Sequence, residues 1–280
     1  MDKLFDIIHE DDELLVINKP ADLVCHPTKG DEYSSLISRV RLHLSAEAKP
    51  HLVNRLDRET SGVTLVAKTA VVAGELGKLW ETRVVEKEYL AIVHGHVREE
   101  HGLIDAALGK DVESIVAIKD CVRADGAASQ TEFWVERRFV RELPLTPSLS
   151  PSDEEREADA PTAGERFSLS ARRSGGEGRG EVDFSFLRLI PRTGRKHQIR
   201  IHLAHIGHPI VGDKIYGGDV DLYLALVEGR LTDEQRAKLI LPNHALHASA
   251  LRFAWRGRVV EFRCEPGTRF TDFLTADGHG

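Results

Sequence analysis

The sequence lacks several features that would assign it to a membrane or a secreted protein. No apolar run approaches the roughly 18 residues that a membrane-spanning helix requires. The first residues, MDKLFDIIHEDDE, are acidic and lack the basic start and the cleavage site of a signal peptide. The three cysteines, Cys25, Cys121 and Cys264, are scattered and include no Cys-x-x-Cys pair. These absences favour a cytoplasmic protein without a disulfide framework or a zinc–cysteine site.

The sequence also lacks the glycine patterns of nucleotide-binding loops and the excess of basic residues that is usual in nucleic-acid-binding proteins. Its net charge is −7, with 41% hydrophobic and 30% charged residues, which describes an ordinary globular protein. Its 280 residues suffice for one large or two small domains. The segment from Arg188 to Lys214 is nevertheless basic, because it holds six basic residues and one acidic residue. A basic stripe of this kind can bind folded RNA although the whole chain is acidic.

The most informative segment that is present runs from His51 to Thr69 and contains Asp57 between two arginines. An aspartate in a turn usually caps the backbone. Here the flanking Arg55 and Arg58 favour the ionised carboxylate, because opposite charges within a few Å stabilise the charged form. Gly62 then permits a tight turn into an apolar run that predicts a buried strand. Asp57 is therefore either a nucleophile or one half of a structural ion pair.

The spacing of apolar residues predicts a series of strands and helices. Two strands are predicted within residues 5–28, and further strands at 63–68, 87–94, 130–139, 182–190, 247–254 and 258–264. Helices are predicted at 31–49, 69–82, 197–206, 219–228 and from about residue 232 onward. The chain between the strand at 87–94 and residue 128 is expected to be connecting chain.

Residues 141–181 interrupt this pattern. They are rich in Pro, Ser, Gly, Glu and Arg, and they contain nine acidic and six basic residues. Such a segment cannot bury enough apolar surface to offset the entropy of ordering its backbone. We therefore expect residues 141–181 to be a disordered, low-complexity insertion that does not take part in catalysis.

Four sequence blocks extend the pattern beyond the Asp57 segment. They are Leu15–Pro27 (LVINKPADLVCHP), Arg55–Gly62 (RLDRETSG), Lys87–Gly95 (KEYLAIVHG) and Arg192–Asp213 (RTGRKHQIRIHLAHIGHPIVGD). In content and order these blocks resemble the RluA-type RNA pseudouridine synthases. The sequence departs from the family pattern at Asn54, where His is usual, and at Asp22, where Gly is common. Asp tolerates turn conformations, so the second change is mild.

The resemblance implies an α+β pseudouridine synthase fold, with a mixed, mostly antiparallel β-sheet, flanking helices and a central catalytic cleft. It implies that residues 1–280 form a single catalytic domain, without the N-terminal S4-like RNA-binding module of many relatives. The implied reaction converts uridine in rRNA or tRNA to pseudouridine, after the target base is flipped out of its stack. The N1–C1′ bond breaks and a C5–C1′ bond forms. Because no redox change occurs, no cofactor is expected. The expected partner is an RNA stem-loop, and the protein is expected to be a monomer that binds neither a membrane nor a metal.

Three residues receive catalytic roles from the resemblance. Asp57 is the essential carboxylate, which either attacks C1′ or assists formation of a glycal. Tyr89 is expected over the uracil ring or near its proton-transfer edge, although a core position would be the simpler interpretation of Tyr89 alone. Arg200 is the expected ion-pair partner that keeps Asp57 ionised. Ile201 or Leu203 is expected to form an apolar wall of the pocket.

Five residues receive substrate-binding roles from the resemblance: Arg55, Arg195, Lys196, His197 and Ile201. Arg55 is expected to enter the space that the flipped base leaves. Arg195 and Lys196 are expected to contact RNA phosphates.

Two other classes of function remain open. Asn54 and the acidic net charge would suit an RNA-binding protein that has lost catalysis. Four histidines could suggest a metal-dependent hydrolase: His197, His202, His205 and His208. Their spacing and the lack of an accompanying carboxylate before Asp213 argue against a zinc site.

Overall fold

The structure is a computed structural model that describes residues 4–27, 34–45, 47–144, 172–173 and 179–275. The chain divides into two compact units. The first unit contains the chain up to Leu90 together with Leu246–Asp272, and the second contains Ala91–Ala245 and the chain from Phe273 onward. Each unit is described separately below.

Six elements of the first unit come from the amino-terminal third of the chain: β1 (Asp6–Glu10), β2 (Leu14–Lys19), α1 (Leu36–Leu44), β3 (His51–Leu52), β4 (Ser61–Ala67) and α2 (Ala70–Glu81). Two more come from near its carboxyl end: β12 (Leu246–Trp255) and β13 (Arg258–Arg263). Strand β5 (Glu86–His94) begins in the first unit and ends in the second, and helix α6 (Thr268–Thr275) also crosses the boundary.

The sheet of the first unit is mixed. Strands β1, β2, β4 and β12 are neighbours in that order. The β1–β2 and β2–β4 pairs are antiparallel, whereas β12 runs parallel to β4. Strands β3 and β13 add antiparallel partners to β4 and β12.

Strand β2 is buried on both faces, and this explains its continuous apolar sequence. Leu14 and Val16 belong to the core cluster that includes α2, whereas Leu15 and Ile17 belong to the cluster that includes α1. The strand therefore lies between the two helices, which cover opposite faces.

The second unit contains the remaining elements. They are β6 (His101–Asp105), β7 (Leu108–Lys110), β8 (Asp120–Val122), β9 (Gln130–Pro144), β10 (Arg172–Arg173), β11 (Arg179–Pro191), α3 (Gln198–His205), α4 (Val220–Val227) and α5 (Asp233–Leu239). Strands β5, β11, β9 and β6 are neighbours in that order, with antiparallel β11–β9 and β9–β6 pairs. Strands β7 and β8 form a separate antiparallel pair, and β8 packs against α3.

This arrangement confirms the expected α+β fold with a mixed, mostly antiparallel sheet and flanking helices. The predicted strands and helices are present, and several boundaries differ. The helix predicted at 31–49 is shorter, because Ser35 caps the first turn of α1 by accepting a hydrogen bond from the Ser38 amide. Residues 31–33 and 46 of that prediction lie outside the described residues. Residues 95–128 contain three short strands, so the prediction of connecting chain there was wrong.

The predicted insertion lies largely outside the described residues, which omit 145–171 and 174–178. The two ends of the interval are strand: Arg141–Pro144 complete β9, and Arg179–Glu181 begin β11. None of the helices in the described part of the chain is long and apolar enough to cross a membrane.

Candidate active site

In the first unit, Asp57 lies in the turn that leads from β3 into β4. Its backbone carbonyl accepts a hydrogen bond of 3.2 Å from the Thr60 amide. Leu56 is buried and anchors the turn, whereas Arg55 and Arg58 on either side are exposed and Asp57 itself is half-buried. The turn therefore presents a carboxylate and two guanidiniums at the surface of the unit.

Lys19, at the end of β2, contacts the backbone of the Asp57 turn. Its side chain is fully buried, and Nζ donates to the carbonyl oxygens of Pro20 and Leu23, both at 2.8 Å. A third hydrogen bond, 3.0 Å long, reaches the carbonyl of Arg58. One ammonium group thus connects the turn after β2 to the residue that follows Asp57.

Asp22 gives a second connection between these two turns. It adopts a left-handed conformation with φ 67°, which is unusual for a residue other than glycine. Its carboxylate accepts a hydrogen bond of 2.7 Å from Nε of Arg58. The aspartate at a position where the family commonly has glycine therefore fits the turn and adds an exposed ion pair.

Asn54 has a structural environment. The side-chain amide is buried, with Nδ2 donating to the Val63 carbonyl at 3.1 Å and Oδ1 accepting from the Leu65 amide at 2.7 Å. Both partners are backbone groups of β4. Asn54 thus fixes the chain before the Asp57 turn to the strand that follows it.

The end of the turn is fixed to β12, which pairs with Ser61 and Gly62. Gly62 has φ 119°, and a Cβ at this position would lie 2.2 Å from the carbonyl oxygen of Ala248. Nδ1 of the fully buried His247 lies 2.9 Å from Oγ of Ser61, and its Nε2 lies 3.0 Å from the Cys264 carbonyl. Since Nε2 must donate to that carbonyl, Nδ1 accepts the Ser61 hydroxyl proton.

Tyr89, on β5, belongs to the same unit as Asp57. Burial raises the pKa of the Tyr89 phenol, and the negative charge of Asp57 raises it further. The two groups are therefore close enough to interact electrostatically, and Tyr89 keeps its proton at neutral pH. A protonated phenol beside a carboxylate can donate a hydrogen bond or a proton to a bound base.

In the second unit, the basic segment forms a turn between β11 and α3. Gln198 organises this turn: its Oε1 accepts from Oγ1 of Thr193 at 2.7 Å and from the Arg195 amide at 3.0 Å. Its Nε2 donates to the Gln130 carbonyl and to Oγ1 of Thr131. The turn is thus tied to β9, and Arg195 and Lys196 are left exposed.

Arg200, on α3, is buried and forms a bidentate ion pair. Its Nε and Nη2 donate to the two carboxylate oxygens of Asp213 at 2.7 and 2.8 Å. Burial alone would raise the pKa of Asp213, but the charge and hydrogen bonds of Arg200 hold it well below its usual range. The pairing of Arg200 with Asp57 stays a prediction.

Asp213 is a residue that sequence reasoning missed. It stands in the last of the four sequence blocks, but no spacing rule connects a turn residue to a position thirteen residues earlier on a helix. Its Oδ1 also accepts the amides of Ile215 and Tyr216, at 2.9 and 3.0 Å. The signal in the sequence that could have identified Asp213 is a short acidic side chain followed by a tight turn.

The other predicted substrate-binding residues of the second unit have defined neighbours. Lys196 forms an ion pair of 2.9 Å with Asp120, and His197 Nδ1 lies 2.9 Å from the Tyr216 hydroxyl. Ile201 is buried in a cluster with Tyr216. Arg55, Asp57 and Tyr89 therefore belong to the first unit, and the residues from Arg195 to Ile201 belong to the second.

The histidines of this region have separate hydrogen-bond partners. His202 bonds Oγ1 of Thr131 and the Ala106 carbonyl, and His208 Nδ1 bonds the His94 carbonyl at 2.8 Å. Among the residues that the structure describes, no group of three or more His, Cys, Asp or Glu side chains could hold a metal ion.

Comparison with solved structures identifies the fold. The human RNA pseudouridylate synthase domain containing 1 superposes with a TM-score of 0.65 at 24% identity, over 99% of this chain and 89% of that chain. The corresponding human domain containing 4 protein gives a TM-score of 0.62 at 23% identity. The fold is that of a pseudouridine synthase.

Sequence comparison gives the family. The model of the RNA pseudouridylate synthase family matches residues 13–205. The tRNA pseudouridine synthase C of Haemophilus ducreyi is 33% identical over 248 residues, which cover 89% of this chain and 84% of the relative. The dual-specificity RNA pseudouridine synthase RluA of Vibrio parahaemolyticus is 33% identical over 251 residues, covering 89% of this chain and 77% of the relative. The chain therefore belongs to the RNA pseudouridylate synthase family and is of the RluA type.

Members of this family are isomerases that convert uridine in RNA to pseudouridine. Several relatives are longer than the matched region. The alignments cover 55% of an RNA pseudouridine synthase of Aquifex aeolicus and 49% of the ribosomal large subunit pseudouridine synthase D of Nitrosomonas europaea.

Proposed function

We propose that this chain isomerises specific uridines of ribosomal or transfer RNA to pseudouridine, with Asp57 as the essential carboxylate. The observation that carries the proposal is the construction of the Asp57 turn. Lys19 ties the residue after Asp57 to the end of β2, and Tyr89 lies within electrostatic reach of the carboxylate. The backbone that carries the Asp57 carboxylate is therefore fixed before the substrate binds, and such preorganisation lowers the barrier of the chemical step.

The proposed reaction begins when the target uridine leaves its stack, because a stacked base cannot reach the carboxylate. Arg55, exposed beside Asp57, enters the vacated space. Asp57 either attacks C1′ or assists formation of a glycal, and the N1–C1′ bond breaks. The uracil turns while bound, C5 forms the new bond to C1′, and the proton on C5 is lost while N1 gains one. Tyr89 contacts the uracil at its ring or at this proton-transfer edge.

The second unit contributes RNA-binding and charge-balancing groups to the proposal. Arg195 and Lys196 are exposed cations that suit backbone phosphates, and His197 and Ile201 complete the substrate-binding set. Arg200 supplies the positive charge that keeps Asp57 ionised. Nε and Nη2 of Arg200 donate to Asp213, and this bidentate bond fixes the orientation of the guanidinium.

The named relatives act on large-subunit ribosomal RNA, on tRNA, or on two kinds of RNA. We propose a stem-loop in one of these RNAs as the substrate, a cytoplasmic location and a monomeric protein that needs no cofactor. The alternative of a catalytically silent RNA-binding protein loses its main support, because Asn54 serves the backbone of β4 instead of marking a lost catalytic group.

Release of tritium from RNA labelled at uridine C5 tests the reaction, because forming the new C5–C1′ bond expels that hydrogen. The RNA should come from cells that lack the gene, so that the target uridine is unmodified. We expect wild-type protein to release tritium and Asp57→Asn to retain less than about a hundredth of that rate while still binding RNA.

Asp11→Asn is the matched control, since Asp11 caps an exposed turn between β1 and β2 and its Oδ1 bonds can be kept by an amide. This variant should release tritium at the wild-type rate. Release by Asp57→Asn above that limit would remove Asp57 from its role, and no release by wild type would reject the proposed reaction.

A further inference from the structure

Tyr216 is a buried residue of the second unit to which the roles described above assign nothing. It lies three residues after Asp213, with only 9% of its surface exposed. Burial raises the pKa of its phenol, so the hydroxyl is protonated at neutral pH. The oxygen accepts a hydrogen bond of 3.3 Å from the Asp120 amide. Nδ1 of His197 lies 2.9 Å from the same oxygen.

These contacts determine which nitrogen of His197 carries the proton. A buried hydroxyl that accepts from an amide still needs an acceptor for its own hydrogen. Nδ1 of His197 supplies that acceptor when the neutral imidazole is protonated at Nε2. The hydroxyl of Tyr216 therefore orients the imidazole and makes Nε2 the donor. His197 itself has a left-handed backbone conformation, with φ 55°, at the start of α3.

The ring of Tyr216 has a second contact, with Arg200. The guanidinium carbon lies 5.1 Å from the ring centroid, within the range of a cation–π interaction. The backbone amide of Tyr216 donates to Oδ1 of Asp213, which is also a partner of Arg200. Tyr216 thus contacts both members of the buried ion pair, and it also contacts the basic turn through His197.

We propose that Tyr216 is a positioning residue with two separable functions: its hydroxyl fixes His197, a proposed RNA-binding residue, as the Nε2–H tautomer, and its ring holds Arg200 in place. The proposal rests on the proposed function, because it assigns His197 to RNA binding and Arg200 to the chemical step. The group on the RNA that suits such a donor is an acceptor oxygen, of a phosphate or of a base.

Two substitutions separate the functions. Tyr216→Phe removes the hydroxyl and keeps the ring, whereas Tyr216→Leu removes both. We measure RNA binding in the Asp57→Asn background, in which the uridine is not converted to product. There we expect Tyr216→Phe to raise the Kd for RNA about fivefold, the usual effect of losing one neutral hydrogen bond. The rate of a single turnover at saturating RNA, measured with Asp57 intact, should stay within about twofold of wild type for Phe and fall about tenfold or more for Leu.

A double-mutant cycle tests the connection to His197. His197→Ala should raise the Kd about as much as Tyr216→Phe, and the double variant should be no weaker than His197→Ala alone. If the losses of RNA affinity in the two single variants add in the double variant, the hydroxyl does not act through His197.

Equal single-turnover rates for Tyr216→Phe and Tyr216→Leu would show that the ring does not hold Arg200 in place. Wild-type behaviour of Tyr216→Phe in every measurement would make Tyr216 an ordinary core residue. Thermal unfolding of each variant identifies any that is not folded, and Tyr216→Met then replaces Leu.

The nitrogen-15 chemical shifts of the His197 imidazole give a measurement that needs neither RNA nor turnover. Wild-type protein should show the Nε2–H tautomer, and Tyr216→Phe should show a mixture of tautomers, with His197→Ala identifying the signals. Unchanged shifts in Tyr216→Phe would overturn the proposal even in a protein that releases tritium. The absence of tritium release with the expected shifts would reject the proposed function and leave the hydrogen-bond assignment standing.

Discussion

Individual side chains around Asp57 show how polar contacts can fix the backbone of a turn. Lys19, Asn54 and His247 each use polar atoms to hold a different part of the chain near Asp57. All three are buried, and a buried polar group is costly unless its hydrogen bonds are made. Breaking any of these hydrogen bonds in the folded unit would therefore be costly, and the turn is held in one conformation.

Lys19 provides the pH-dependent prediction. Burial lowers the pKa of Lys19 to about 8, against the opposing effects of Cys25 and Asp57, whereas an unfolded chain gives lysine its ordinary value near 10.4. Between these two values the unfolded state binds more protons than the folded state, so the free energy of unfolding rises with pH. We expect the difference in this free energy between wild type and Lys19→Met to increase by about 2 kcal/mol from pH 8 to pH 10.

Urea unfolding at a series of pH values measures this difference. Taking the difference cancels the titration of all other groups, which both proteins share. Lys78→Met is the control, because Lys78 lies exposed on α2 and its amine stays in water in both states. A flat difference for Lys19→Met would mean that the ammonium is stabilised by its three carbonyl partners as well as it is in water.

The sequence predicted which residues form the candidate site more readily than it predicted which residues they contact. Asp57 and its flanking arginines form a local pattern, so a candidate site can be recognised from the order of the residues. The bidentate partner of Arg200 cannot, because Asp213 lies in a turn thirteen residues further along the chain. The three hydrogen bonds from Lys19 to backbone carbonyls could not be predicted from the sequence either, since a lysine at the end of a strand is as often solvated as it is buried.

At the scale of elements, the parallel pairing of β4 with β12 determines what the Asp57 turn can contain. The backbones approach so closely at Gly62 and Ala248 that a side chain has no room, and the positive φ of Gly62 is itself unfavourable for other residues. The second residue of β4 must therefore be glycine.

Gly62→Ala should consequently lower the free energy of unfolding by about 2 kcal/mol or more and should reduce activity through displacement of the turn. Gly74→Ala is the matched control. Gly74 is a glycine of α2 whose added Cβ would meet no atom within 4 Å, so this substitution should stabilise the protein by about 0.5–1 kcal/mol. Thermal and urea unfolding with circular dichroism measure both. Equal stability of the two variants would show that β12 can move away from β4.

The long elements could be predicted and the short ones could not, for a physical reason. Strands β2 and β4 appear in the sequence as continuous apolar runs, and strand β11 and helix α2 appear through the periodic spacing of their apolar residues. Strands β3, β7 and β8 span two or three residues each, and their existence depends on the partner strand instead of on their own composition. Helix α6 has helical spacing at Phe270, Phe273 and Leu274, a signal in the sequence that the predictions above missed.

At the scale of the whole molecule, the interval 145–178 separates two strands that are already direct partners. Pro144 and Arg179 lie opposite each other in the β9–β11 register. The chain between them holds seven acidic and four basic residues, so it contributes −3 to the net charge of −7. An RNA-binding protein gains nothing electrostatically from such a segment.

We therefore expect that the interval, including the two-residue strand β10 that pairs with β11, can be replaced by a two-residue Asn-Gly turn. Because cross-strand partners flank the joint, a type I′ turn closes the β9–β11 hairpin without changing its register. Tritium release should stay within about twofold of wild type, and RNA affinity at low salt should be equal or slightly higher because net negative charge is removed. A variant with a Gly/Ser segment of the original length distinguishes the effect of shortening from the effect of composition. If both variants lose activity while unfolding at the wild-type temperature, the residues of the interval contribute to catalysis or to RNA recognition, and the expectation that they are bystanders is wrong.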